Sequence, residues 1–346
     1  MEPEREGRRE RLPEQLFSTF SKPEPEMLHP ELYGQLIDRG TDVILEHLKR
    51  YSEDRRRLLD KVKGRIKLEQ ASEKWDGAEK LLTVASDAGN NGADLRSAFA
   101  PLYAAVAVAA RGWRLVGEPI CLAGEPEVWV DEFATSERES LLAAKLQFEV
   151  SLKGARKWRP RVVVMDGTLL LNFSLLPAAE ATEDYKRDFK EAVGSAVKLL
   201  HECKEAKVLV VGFVKRTRAN SLCGKLGAPH LRDTALLDLV LERGQYTLPE
   251  EPMENPVVDR YRRFAKEELG LKGEEVKEVC DIYSCYIRTG YQTPYRLEVP
   301  RYCLDRLGLV ANLLYATSEE DGIPFCVYEA DKLTKITAAI SNVRTL

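Results

Sequence analysis

From Pro160 to Phe173 the chain reads PRVVVMDGTLLLNF: an apolar run, then an aspartate and a glycine, then a second apolar run. An unbroken run rich in β-branched residues and bounded by turn signals reads as a buried strand, and Asp166 stands at its end. A similar run, LLTVASDAGNNG, leads from Leu81 through Ala85 to Asp87 and a Gly/Asn-rich turn. Two buried strands that each arrive at a carboxylate constrain the fold and the chemistry together, because the carboxylates need a reason to be there.

What lies between and beyond these strands sets the topology. FAPLYAAVAVAARGWRLVGEPICLA supplies two further strand-like runs, parted near Arg111-Gly112, so three consecutive strands predict an antiparallel meander. From Glu132 to Trp158, EFATSERESLLAAKLQFEVSLKGARKW has the Ala/Leu/Glu/Lys composition of a helix. The Asp166 strand follows it. A second helix, EDYKRDFKEAVGSAVKLLHECK, then leads to another strand, KVLVVGFVKRTRAN. Strands separated by helices argue for parallel additions to a sheet, so the expected fold is α/β: a mixed sheet, meander plus parallel strands, flanked by helices. Ahead of this, Leu36, Ile37, Val43, Ile44, Leu48, Leu58, Leu59 and Val62 recur at helical spacing between His29 and Leu68. That segment is one long helix or a helical pair, and it either packs on its own domain or serves as a dimerisation or partner surface. The opening residues mix Glu, Arg, Pro and Ser without periodicity and read as a disordered tail.

Composition removes several classes of function. Hydrophobic content of 44% and charged content of 31% are ordinary for a soluble protein, and no apolar run is long enough to span a bilayer. The start, MEPEREGRRERLPEQ, has no apolar core to act as a secretory signal, so a cytoplasmic protein with no membrane contact is expected. Seven cysteines without a CxxC pair form neither a zinc nor a disulfide framework. The four histidines have no metal-ligand spacing, and without a GxxxxGK[ST] loop the chain should not hydrolyse ATP itself. A net charge of −4 leaves nucleic-acid binding to local patches. Two are visible: KGARKWRPR, with Lys153, Arg156, Lys157 and Trp158, and KRTR, with Lys215, Arg216 and Arg218. Trp158 either stacks on a DNA base or ends a helix against the core.

If the two aspartate strands lie side by side, Asp87 and Asp166 converge. Glu149, on the intervening helix, adds a third oxygen ligand if that helix packs across the sheet. Gly89 and Gly167 follow the two sites and permit tight turns. Converging carboxylates repel one another unless a cation sits between them, and a hard divalent ion is the usual solution. Mn²⁺ or Mg²⁺, one or two ions per site, is therefore expected, and such ions suit in-line phosphoryl displacement. Lys215, at the end of the later strand, is placed to hold a phosphate. Taken singly, the Asp-Gly pair reads as a turn, Glu149 as a solvated helix residue and KRTR as an exposed loop; only their combination points to a metal site.

The ordered set ASDAGNNG, LQFEVSLK before RVVVMDGTLL, VVGFVKRTRANSL, RDTALLDLVL, YQTPYRLEVP and GIPFCVYEADKLTKI resembles the NurA nuclease family, from about Leu81 to the C-terminus. The resemblance implies an RNase H-like fold and a homodimer. It further implies Mn²⁺-dependent DNA cleavage with 5′-to-3′ polarity, to which single-strand endonuclease activity is a possible addition, and partnership with a hexameric HerA-type translocase in DNA end processing. Carried over residue by residue, the family's metal-binding carboxylates fall on Asp87, Glu149 and Asp166, and its strand lysine on Lys215. Where many members have a tyrosine and a later histidine, this chain has Ile323 and Asp331. Ile323 has no hydroxyl to offer, whereas Asp331 is a better ligand than imidazole for Mg²⁺ or Mn²⁺; its plainer reading is a surface aspartate near Lys332 and Lys335. The domain bounds that follow are a tail over 1–26, a helical segment over 27–75 and a nuclease domain over 76–346. Two functions of different class follow as well: a metal-dependent DNA nuclease, or an RNase H-like adaptor that binds DNA for the translocase with weakened or lost catalysis. A small-molecule phosphatase is a third, less fitting because a compact substrate needs no separate basic stretches.

Overall fold

Val162, Val163, Val164 and Met165 are each at most 1% exposed, which requires cover on both faces of the strand they form. The computed structural model that supplies this cover describes residues 30–62, 65–130, 134–249 and 251–335. The expected tail over 1–26 lies outside the described residues. Two compact units divide the chain, one ending at Arg57 and the other starting at Leu58. The described part of the first is residues 30–57 of helix α1 (Pro30–Val62), one continuous helix rather than a pair; Leu58–Val62, its last residues, belong to the second unit. There Leu58 and Val62 pack with Cys223, Ala228, Leu231 and Leu236. The helix stops short of Leu68, which instead opens a short strand.

The second unit contains, in chain order, β1 (Leu68–Gln70), β2 (Leu82–Asn90), β3 (Tyr103–Arg111), β4 (Ile120–Ala123), α2 (Thr135–Trp158), β5 (Val162–Asp166), α3 (Glu183–Glu205) and β6 (Leu209–Val214). After them come β7 (Gln245–Thr247), α4 (Val258–Glu267), α5 (Glu274–Cys280), β8 (Ile282–Ile287), β9 (Tyr295–Pro300), α6 (Leu307–Ala316) and α7 (Phe325–Thr334), with shorter strands and helices between. The sheet order is β1-β7-β8-β9-β6-β5-β2-β3, and β4 also pairs with β3. Strands β2, β5 and β6 are mutually parallel at the centre, while β2–β3, β3–β4, β6–β9 and β9–β8 are antiparallel. The mixed sheet, its leading meander and its two helix-linked parallel additions are as the sequence predicts. The pair β8–β9 extends it beyond β6.

Side-chain alternation assigns the layers. Val84 and Val163 join a core with α2 and α3 residues such as Leu141, Phe148, Ala192 and Val197. Ala85, Val164 and Phe213 point the other way, into a core with Val310, Leu314, Val327 and Ala330 of α6 and α7. Opposite faces of one sheet are thus covered by different helix pairs. Local signals place the helices: α3 starts at Thr182, whose hydroxyl accepts from Tyr185 N at 3.2 Å, carries Glu183 and Asp184 in its first turn and ends with Lys204 in its last. All seven cysteines are free thiols, six of them buried. No described helix is long and apolar enough to cross a membrane.

Candidate metal centre

Strand parity decides which carboxylates can meet. Asp87 has the parity of Ala85 and Asp166 that of Val164, so both face α7. The β2–β5 ladder ends at Ser86–Met165, one residue short of each aspartate, so the two side chains leave adjacent parallel strands at the same level. Strand β2 itself continues to Asn90, so Asp87 sits within a strand that outruns its parallel neighbour. Helix α7 lies over this edge and contributes Asp331. One carboxylate oxygen from each of Asp87, Asp166 and Asp331 can be chosen so that all three lie within 4.8 Å of one another.

Lys215, the first residue after β6, reaches into the cluster. Its Nζ lies 2.6 Å from Asp166 Oδ2 and 2.6 Å from Asp331 Oδ1. Asp331 is also 3.2 Å from Lys335, so the surface-helix reading of this aspartate describes only one side of it. Thr334, one turn further along α7, donates its hydroxyl to Asp87 Oδ2. The end of α7 comes so close to β2 that a Cβ added at Gly89 would lie 2.4 Å from Thr334 O. Beneath the pair, Gln147 of α2 donates to the carbonyls of Ser86 and Asp166, each at 3.0 Å, and ties the two strands together where their ladder stops.

The electrostatics are those of a crowded anionic site. Burial, then the charge of Asp87, pushes Asp166 up to about 7. Burial also raises Asp87, against the Thr334 hydroxyl and Lys215, which favour its ionised form. Desolvation acts to raise Asp331 too, but Lys215 and Lys335 outweigh it and hold this carboxyl below its ordinary value. Lys215 is raised: desolvation works against its charge, and Asp166 and Asp331 more than compensate. When ionised, three carboxylates against two ammoniums, Lys215 between them and Lys335 on the outer side of Asp331, leave excess negative charge in a partly buried place. An all-oxygen donor set of this kind fits a hard divalent cation, with Asp87, Asp166 and Asp331 as its holders.

Other expected site residues lie elsewhere. Glu149 is not part of this cluster: α2 covers the opposite face of the sheet, and Glu149 Oε1 accepts from Ser195 Oγ of α3 at 3.1 Å. Helix rotation is the reason, since the α2 position that reaches the strand ends is Gln147. The segment KGARKWRPR is also remote. Lys153, Arg156, Lys157 and Trp158 occupy the C-terminal turns of α2, beside the start of β5, while Asp166 is at its end, about 13 Å along the strand. There Arg156 makes two hydrogen bonds to Glu202, and Lys157 Nζ sits 4.7 Å from the centre of the Trp158 ring. Trp158 is half-buried and packs on the α2–α3 core, which favours the helix-end reading. Arg216 and Arg218, by contrast, are exposed on the loop that leaves Lys215. Ile323 packs beside the α6–α7 core, outside the carboxylate cluster.

Thr334 and Gln147 were not legible as site residues. Thr334 carries a faint signal, lying three residues after Asp331 and so on the same helix face. Gln147 carries another, a polar residue among Leu141, Leu142 and Phe148 on a buried helix face.

A sequence model described as the NurA domain matches residues 81–336, most of the chain and the whole of the carboxylate cluster. The chain belongs to the NurA family. Solved NurA structures share its fold. The NurA nuclease from Sulfolobus solfataricus matches with a TM-score of 0.63 at 15% identity, over 91% of this chain and 95% of that one. A NurA bound to dAMP and manganese matches with a TM-score of 0.58 at 15% identity, over 88% and 94% of the two chains. A NurA with manganese gives 0.58 at 13% identity, over 90% and 97%. A search of curated sequences finds no match.

Proposed function

We propose that this NurA-family chain is a divalent-metal-dependent DNA nuclease whose ion is held by Asp87, Asp166 and Asp331. The observation that carries the reading is the convergence of these three carboxylates at the end of the parallel strands, within 4.8 Å of one another. Family membership and the manganese- and dAMP-bound relatives support the choice of ion and of substrate. When bound, the ion supplies Lewis-acid activation of water and stabilisation of the leaving oxygen. The chain's own groups do the rest. Asp331 is held ionised by Lys215 and Lys335, whereas Asp166 keeps a proton near neutrality and would have to give it up to serve as a ligand. Thr334 and Gln147 hold Asp87 and the two strand ends in place, and Lys215, partly exposed at the rim, neutralises charge on the phosphate. Arg216 and Arg218 extend that cationic rim toward the neighbouring phosphates. Mn²⁺ as the working ion, 5′-to-3′ exonuclease polarity, a homodimer and partnership with a HerA-type hexameric translocase in DNA end processing belong to the same proposal.

One observation favours the adaptor reading: the Lys215 ammonium already bridges two of the three carboxylates and competes with an ion for them. Cleavage of 5′-labelled and 3′-labelled linear DNA with Mn²⁺, Mg²⁺ or EDTA separates the two. The nuclease reading expects metal-dependent products, lost in a folded Asp166→Ala variant. Retained activity in that variant sinks the site. No product with any metal, with or without the translocase, leaves the adaptor. Light scattering of the protein alone and with the translocase tests the assembly.

A further inference from the structure

The chain after Asp166 does not continue as a strand. Leu169, Leu170 and Leu171 are at most 2% exposed yet belong to neither helix nor sheet, so their peptide groups lie in the core without a ladder to satisfy them. Their partners come from distant elements. Glu298 of β9 is wholly buried, and its Oε2 accepts from Leu169 N at 2.8 Å and from Leu170 N at 3.3 Å. The Tyr261 hydroxyl of α4 donates to Leu169 O at 3.0 Å and accepts from Leu171 N at 3.1 Å. Closer to the site, Gly167 N donates to Phe213 O of β6 at 3.0 Å.

The segment therefore runs directly across β6. It crosses at Gly212, where a Cβ would lie 2.7 Å from Gly167 O and 3.2 Å from Leu169 N. Gly212 is the ladder partner of Glu298, so the residue that makes room and the residue that grips the loop are neighbours. Arg296 Nη2, 2.5 Å from Glu298 Oε1, supplies the counter-charge that lets a carboxylate serve here.

We propose that Glu298 is a positioning residue for Asp166: with Tyr261 and Gly212 it straps the Gly167–Leu171 segment across β6 and so sets the direction in which Asp166 presents its carboxylate. The inference rests on the reading of Asp87, Asp166 and Asp331 as a divalent-metal site. Metal sites tolerate little drift in their ligands, and loss of an outer partner typically weakens metal affinity by ~10- to 100-fold. A purely structural Glu298 lowers thermal stability without changing the Mn²⁺ affinity of the protein that remains folded.

The test is an EPR titration of free Mn²⁺ with the full chain, at a temperature where circular dichroism shows wild type and variants folded. Glu298→Ala and Tyr261→Phe are each expected to weaken Mn²⁺ by about 10-fold. Their DNA cleavage falls at limiting Mn²⁺ and recovers on saturation. Glu298→Gln, which keeps one oxygen for both N–H groups, binds more tightly than Glu298→Ala. Wild-type Mn²⁺ affinity in the folded variants overturns the strap and leaves the metal site standing. Absence of Mn²⁺ binding by wild type overturns both. If Glu298→Ala does not fold, Tyr261→Phe decides alone, since it keeps the ring and loses only the hydroxyl.

Discussion

Asp166 carries the sharpest consequence for a single residue. Its folded value of about 7 stands well above its ordinary 3.8, so between these values the folded chain holds a proton that the unfolded chain has lost. Stability then falls as pH rises, because the side that binds more protons here is the folded one. The three-unit window corresponds to at most ~4 kcal/mol, and the raised Asp87 adds in the same direction. We expect the protein in EDTA to melt higher at pH 5 than at pH 8, and Asp166→Asn to flatten that slope. On the proposed metal reading an ion competes with the proton on Asp166, so the rise in melting temperature produced by Mn²⁺ should be larger at pH 8 than at pH 5. Melting curves at the two pH values, with and without Mn²⁺, decide this; an equal Mn²⁺ effect at both contradicts the site's electrostatics.

At the scale of elements, the close approach of α7 to β2 matters more than any single contact. Gly89→Ala places a methyl against the Thr334 carbonyl, a backbone atom that can move only if the helix end moves. Overpacking of this kind costs ~1–3 kcal/mol, and here it also separates Asp331 and Thr334 from Asp87. Thermal unfolding and Mn²⁺ titration of the variant should both show a loss. Thr182→Ala is the matching control: it removes the N-cap of α3, on the far face of the sheet, and should cost ~1 kcal/mol with cleavage unchanged. If Gly89→Ala lowers stability alone, α7 is a cover and not a part of the site.

For the whole molecule, the parallel strands give the sheet two unlike ends, the carboxylates at one and KGARKWRPR at the other. On the proposed nuclease reading, DNA at the carboxylates lies beside the exposed Arg216 and Arg218, so Arg216→Ala and Arg218→Ala should each reduce the salt slope of binding by about one. Lys153→Ala and Lys157→Ala should leave it unchanged; fluorescence anisotropy across a salt series reads both pairs. This polarity was invisible in the linear chain, where both basic stretches look alike. Much else was legible there: the unbroken runs around Val84, Val163 and Val211 read as buried strands, and the helices between them argued for parallel additions to one sheet, in which Asp87 and Asp166 converge if their strands are neighbours. Those features are local, since strand period, helix composition and turn residues act within a few positions. The rotation of α2, which turns Gln147 to the strand ends and Glu149 to Ser195, depends on how its whole apolar face seats on the sheet and on α3. Asp331 and Thr334 meet Asp87 across more than two hundred residues, and Glu298 grips a loop from a strand more than a hundred residues away. The sequence by itself determined the sheet and its strand-end carboxylates, and offered Asp331 through its family resemblance; only the tertiary packing of distant segments decided that Asp331 rather than Glu149 joins the two, which neighbours hold them and which loop aims Asp166.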